Sequence, residues 1–129
     1  MRLLLDTNAL ICWLSTFERL QKQAVDAIRD PHNEIHVSVV AAWEMAIKVA
    51  SGRLPVPPDL ATWLPERLAR ERFQSLDVRL EHVLRVEHLP RHHGDPFDRL
   101  LIAQAQLEGL TIVTSDESFD RYNVAVLHC

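Results

Sequence analysis

Four acidic residues sit where a carboxylate can do more than meet solvent. Asp6 ends the apolar run of "RLLLD", Asp116 follows "TIVTS", Glu44 lies between apolar flanks in "VVAAWEMAIK", and Asp98 stands in "DPFDRLL". An acid placed among apolar neighbours needs a partner. Carboxylates crowded together repel one another and persist when a cation neutralises them. Hard oxygen donors without an accompanying cysteine pair favour Mg²⁺ or Mn²⁺ over zinc, as one or two ions. Divalent ions held this way suit phosphodiester hydrolysis, where one lowers the pKa of a water and a second steadies the leaving oxygen.

Those four acids share a rim only if the elements carrying them alternate correctly. "RLLL" (2–5) reads as a buried strand, and "NALICWLS" begins a helix capped by Asn8. "FERLQKQAVDAIRD" has a helical period through Phe17, Leu20, Ala24, Ala27 and Ile28, broken by "DPHNE" (30–34). "EIHVS" (34–38) is a second strand, and Ser38 caps a helix that stops at Gly52. "RLPVPPD" is a proline-rich connection, and "LATWLPERLARERF" is a helix bent or restarted at Pro65. "QSLDV" (74–78) is a brief strand, and "RLEHVLRVEHL" is amphipathic with Leu80, Val83, Leu84 and Leu89 on one side. "PRHHGDP" is a loop. The following helix has Asp95 as cap, Pro96 at its first position and Gly109 past its end. "TIVT" (111–114) and "VAVL" (124–127) are the last strands, joined through "SDESFDRY" as a loop or short helix. Strands alternating with helices predict an α/β protein with a mostly parallel sheet. Ligands bind such sheets at the carboxyl ends of the strands, which is where Asp6 and Asp116 fall and where the helices carrying Glu44 and Asp98 begin.

The series "LLLDTNAL", "SVVAAWEMAIK", "DPFDRLLIAQA", "TIVTSDESF" resembles the PIN-domain ribonucleases, and more narrowly the VapC toxins of bacterial toxin–antitoxin pairs. The four stretches span residues 3–119 of 129, and the length fits a stand-alone toxin. The resemblance implies a single three-layer α/β/α domain over 1–129 with a short, mainly parallel sheet. It makes Asp6, Glu44, Asp98 and Asp116 the catalytic and metal-holding acids. Thr7, Asn8 and Ser115 fall where the family places polar groups that orient carboxylates or water, and Asp95 adds a fifth acid near the rim. The implied activity is a Mg²⁺- or Mn²⁺-dependent endoribonuclease, in which a metal-activated water leaves a 5′-phosphate and a 3′-hydroxyl. The implied partners are RNA, a cognate antitoxin that inserts a basic side chain among the acids, and a second copy of the chain. The first two helices and the proline-rich region around Trp63 are the expected dimer surface.

Plainer roles compete at each position. Asp6 can cap a turn, Glu44 can pair with Lys48 four residues on, Asp95 and Asp98 can both serve the start of their helix, and Asp116 can be a turn residue. His92 and His93 read as solvated, near phosphate. Trp13, Trp43 and Trp63 read as core or partner interface. A haloacid-dehalogenase-type phosphatase needs a second Asp two residues after the first, and Asn8 stands there instead. A larger DNA nuclease of the PIN-like group and a catalytically silent binding module are the remaining alternatives.

Composition narrows the class further. The chain is 47% hydrophobic and 25% charged, the balance of a water-soluble globular protein. No apolar run reaches a membrane span or a secretory h-region, which predicts a cytoplasmic protein without membrane partners. Cys12 reads as a reduced core residue and Cys129 as exposed. The four acids alone account for the formal net charge of −4. Arginines 67, 70, 72, 79, 85, 91 and 99 then supply material for a locally positive channel, though most are interleaved with glutamates as ordinary surface charges.

Overall fold

The first strand forms because Leu3, Leu4 and Leu5 have apolar surroundings on both faces, and none of the three has any solvent exposure. In the computed structural model, which describes residues 1–54 and 59–129, this strand is the middle of a five-stranded sheet. The order is β3-β2-β1-β4-β5, with β1 at Arg2–Leu5, β2 at Glu34–Ser38, β3 at Gln74–Leu76, β4 at Thr111–Thr114 and β5 at Val126–His128. Every pairing is parallel, with Leu5 beside Val37 on one side and Val113 on the other. The predicted connection "RLPVPPD" falls mostly on residues 55–58, outside the described residues.

Strand alternation divides the core into two layers. Leu3 and Leu5 pack with Ile35, Val37 and Val113 against α1 (Thr7–Ser15), α2 (Lys22–Arg29), α3 (Val39–Ala50) and α4 (Leu60–Glu71). Leu4 and Ile112 pack on the other side against α6 (Pro96–Glu108), with Val40, Leu89, Phe119 and Tyr122. The short α5 (Leu80–Arg85) leans on α6, where Leu101 through Ala105 are all buried. This is the expected helix–sheet–helix arrangement. The chain builds β1, β2 and β3 outward in one direction, then returns to lay β4 and β5 on the other side of β1. The order reverses between β1 and β4, and a crevice forms there at the carboxyl ends. Among the described residues no helix is long and apolar enough to cross a membrane.

Several elements differ from the sequence reading. Helix α1 is capped by Asp6, not Asn8: Asp6 has an extended backbone and its carboxylate accepts from the Ala9 N–H. The period from Phe17 to Ile28 is split into a 3₁₀ turn (Phe17–Arg19) and α2, because Leu20 and Gln21 take extended backbone while Phe17 and Leu20 pack on the core. Pro65 lies inside an unbroken α4. The third strand ends at Leu76, and the last begins at Val126 because the Val124 N–H is still held in a turn by the Tyr122 carbonyl at 2.9 Å. The apolar side of α5 faces outward: Leu80, Val83 and Leu84 are 73%, 47% and 57% exposed. His82 sets that roll. It is fully buried on the opposite side, its Nδ1 accepting from the Arg79 N–H and its Nε2 lying 2.9 Å from Glu108. Apart from Met1 and Leu107, the large exposed apolar side chains among the described residues sit on α3 (Val39, Trp43, Ile47) and α5, whereas α1 turns Trp13 and Leu14 inward and Trp63 is half-buried.

Candidate metal centre

Asp6 leaves β1 at the centre of the crevice and is 3% exposed. Its Oδ1 accepts from the Ala9 N–H at 2.7 Å, and its Oδ2 accepts from the Thr114 hydroxyl at 2.5 Å. The β1–β4 register pairs Leu5 with Val113, so the next residues along, Asp6 and Thr114, meet across the two strands. Thr114 is fully buried and also accepts from the Asp116 N–H at 3.0 Å, tying the two acids together. The sequence reading missed Thr114. The signal available was a polar residue closing a strand two positions before the acid.

Asp116 begins the 3₁₀ turn Glu117–Arg121, and its Oδ1 accepts from the Ser118 N–H at 2.9 Å. That bond holds its carboxyl below the ordinary range, and the residue is exposed. Asp98 stands in the first turn of α6, its N–H donating to Asp95 at 3.0 Å. Asp95 is therefore the helix cap, and it also lies beside the rim. Glu44 comes from the second turn of α3, with 15% of its side chain exposed and Oε2 3.2 Å from Lys48 Nζ. The plain i,i+4 pairing and the place at the rim are both real for this residue. The Trp43 and Ile47 that flank it are exposed, so α3 is less buried than its composition predicts.

Asp6 and Asp98 both feel the charges of other acids. Burial, followed by the charges of Asp116 and Glu44, raises Asp6 to about 6 against two hydrogen bonds that lower it. Burial raises Asp98 to about 7, reinforced by Asp95, Asp6, Glu44 and Asp116. The Glu44 charge reaches both Asp6 and Asp98, in keeping with its place in the second turn of the helix that follows β2. Burial is the larger cause for both groups, and the neighbouring carboxylates add to it.

The surroundings fit a hard divalent ion. The Thr7 hydroxyl, next to Asp6 and buried, has no hydrogen-bond partner. The available donors are carboxylate and hydroxyl oxygens. The Cys129 thiol, which is half-buried and not exposed as predicted, is pushed up to about 12 by burial, so no thiolate competes. Asn8 and Ser115 line an open cleft of about 520 Å³ beside the acids, with Cys12, Thr16, Arg19 and Cys129. Glu87, Arg91, His93, Gly94 and Arg99 line a second cleft of about 570 Å³, in which His93 also contacts Asp98. Of the seven arginines named above, Arg67, Arg70 and Arg79 pair with glutamates elsewhere, and Arg91 and Arg99 are the two that line this second cleft.

Among the described residues, the trio of ligand atoms lying within 4.8 Å of one another is Glu81, His82 and Glu108, away from the rim. With the His82 Nδ1 accepting a backbone N–H, its Nε2 carries the proton and donates to Glu108. That nitrogen has no lone pair to offer a cation, and the trio is structural. His93 also departs from its solvated reading. Its side chain is 18% exposed and its Nε2 is 3.3 Å from Asp98 Oδ2.

Sheet order defines a doubly wound parallel α/β protein, with acidic residues at its switch point. The PIN domain family matches residues 3–125, and the chain belongs to that family. Over 68 residues it is 37% identical to Ribonuclease VapC16 of Mycobacterium tuberculosis (strain ATCC 25618 / H37Rv), a match covering 50% of this chain and 48% of that protein. The chain therefore matches about half the length of this relative. Its fold is shared with VapBC2 from Rickettsia felis bound to a DNA fragment from its promoter, at TM-score 0.73 and 18% identity over 100% of this chain and 99% of that one. It is shared too with FitAcB from Neisseria gonorrhoeae, at TM-score 0.67 and 23% identity over 97% and 96% of the two chains.

Proposed function

We propose that this chain is a Mg²⁺- or Mn²⁺-dependent endoribonuclease of the VapC type, the cytoplasmic toxin of a toxin–antitoxin pair. The observation that carries the reading is the buried Thr114 hydroxyl that ties Asp6 to Asp116 across the carboxyl ends of β1 and β4, with Asp98 and Glu44 entering from the helices beside them. The likeness to a protein named as a ribonuclease supports the chemistry, and the likeness to complexes named VapBC supports the antitoxin.

Asp6, Glu44, Asp98 and Asp116 are the residues that would hold one or two ions. A divalent ion bound there supplies Lewis acidity for activating water against phosphorus and stabilising the charge that develops on the phosphate. The protein's contribution is position. Two hydrogen bonds fix both oxygens of Asp6, and the Thr7 hydroxyl is left free to face the ion or its water. Asp116 keeps a charged oxygen at the open edge, where RNA arrives. Lys48 balances Glu44 when no metal is bound, and a basic side chain from an antitoxin would compete for the same carboxylates. Hydrolysis by water gives a 5′-phosphate and a 3′-hydroxyl without using the 2′-hydroxyl. A homodimer completes the reading.

Asp6→Asn tests it. Asn is as good a helix cap as Asp and carries no charge to bury, so the variant keeps its circular dichroism and melts no lower than the wild type at neutral pH. RNA cleavage in Mn²⁺ is expected to fall by at least about a hundredfold, and wild-type cleavage is expected to stop in EDTA. Cleavage that persists in EDTA, or in a folded Asp6→Asn protein, overturns the proposal.

A further inference from the structure

The loop before α6 carries a connected set of hydrogen bonds that ends on Asp98. The Tyr122 hydroxyl is 2.7 Å from His93 Nδ1, and it also receives Arg99 Nη1 at 3.1 Å and the His93 backbone N–H at 3.3 Å. His93 Nε2 lies 3.3 Å from Asp98 Oδ2. Tyr122 is 4% exposed, so water does not replace these partners freely.

A phenol oxygen has two lone pairs and one proton. Guanidinium and backbone N–H groups can only donate, so they occupy the two lone pairs. The phenol proton is left for His93 Nδ1. A neutral imidazole that accepts at Nδ1 carries its proton at Nε2, and that proton points to Asp98 Oδ2. Arg99, one residue beyond Asp98, is itself fixed by the carbonyls of Pro90, Val86 and Leu89. The tautomer of His93 is therefore dictated from outside the ring, and it serves one oxygen of one carboxylate.

We propose that His93, held in its Nε2–H form by Tyr122, is a positioning residue that fixes the rotation of the Asp98 carboxylate and leaves Oδ1 free to face a divalent ion. The inference rests on the reading of Asp98 as a metal ligand. Hydrogen bonds to metal-binding side chains are generally worth about 10–100-fold in metal affinity or activity. A loop clamp with no such role would change stability and nothing else.

The test uses the full chain and Mn²⁺ alone, with affinity from isothermal titration, melting temperature, and ¹⁵N imidazole shifts of the metal-free protein. Wild-type His93 should show the Nε2–H tautomer, and Tyr122→Phe should lose that preference. His93→Phe keeps a ring but no donor, and should weaken Mn²⁺ binding by about tenfold or more. His93→Gln places an amide donor near the Nε2 position and should recover most of it. Mn²⁺ affinity within twofold of wild type in a folded His93→Phe overturns the inference, as does an Nδ1–H tautomer in the wild type. If His93→Phe does not fold, the Tyr122→Phe shifts and affinity decide the matter by the same criteria. Unchanged Mn²⁺ binding in Asp98→Asn sinks the metal-ligand reading instead, and the tautomer measurement keeps that failure distinct.

Discussion

Asp6 is at once a helix cap and a member of the acid rim, and the two roles set its energetics against each other. Its two hydrogen bonds favour the carboxylate, while burial and the neighbouring charges favour the acid and win. The result is a folded chain that, between pH 3.8 and about 7, retains protons on Asp6 and Asp98 that the unfolded chain releases. Stability from these two groups is fully present below pH 3.8 and is lost as pH rises through about 6 and about 7. Ionising Asp6 alone costs on the order of 3 kcal/mol. The metal-free protein should therefore melt lower at pH 8 than at pH 5, by roughly 10 °C. Saturating Mn²⁺ should close the gap, because it binds the ionised form. Asp98→Asn should flatten the metal-free profile, and a wild-type melting temperature that rises from pH 5 to pH 8 in EDTA would show that the carboxyls are not strained.

Elements meet at Ser38, where β2 becomes α3. The Ser38 hydroxyl oxygen accepts from the Val40 N–H at 3.0 Å and its proton goes to Gln104 Oε1 at 2.6 Å, both residues being fully buried. Gln104 then donates to the Asp77 carbonyl at 3.2 Å, so one hydroxyl links α3 to α6 and to the segment after β3. Ser38→Ala removes a cap worth about 1 kcal/mol and strands the Gln104 oxygen, which costs a further ~1–3 kcal/mol. Urea unfolding should report about 2–4 kcal/mol in total, and a Ser38→Ala, Gln104→Leu double variant should lose less than the two single losses added together. Additive losses would mean that the pair does not interact. The Ser38 cap was legible in the sequence and its buried Gln104 partner was not, because a polar residue inside a helix announces no contact 66 positions away. The same division runs through the rim. The four acids and their strand and helix settings could be read from local pattern. Thr114 and the His93–Tyr122 bond depend on sheet register and on a loop folding over α6, which no local window contains. Helix α5 misled for a related reason: its leucines mark an apolar stripe, but buried hydrogen bonds from His82 decided which side faces the core.

Across the whole molecule the formal charge is −4, and the rim acids account for all of it, so the remaining surface is neutral in sum. Arg19 lines one cleft, and Arg91 and Arg99 line another together with Glu87, so basic groups lie in both clefts. If the chain is the ribonuclease proposed above, a phosphate chain reaching its site meets the acids. Without a divalent ion they repel it, and the ionised, exposed Asp116 contributes a full charge, whereas Asp98, raised to about 7, contributes only part of one at neutral pH. A unit charge 6–8 Å from a phosphate in water is worth about 0.5–0.7 kcal/mol, or roughly threefold in affinity. Asp116→Asn should therefore bind a short single-stranded RNA about threefold more tightly than wild type in EDTA at low salt, though it no longer cleaves in Mn²⁺. Asp98→Asn should gain less at pH 7 and as much at pH 8.5. Raising the salt should erase both gains as the screening length falls below the charge separation. Fluorescence anisotropy of a labelled oligonucleotide reads all three, and an Asp116→Asn protein that binds RNA more weakly than wild type in EDTA would mean that the strand does not cross the rim.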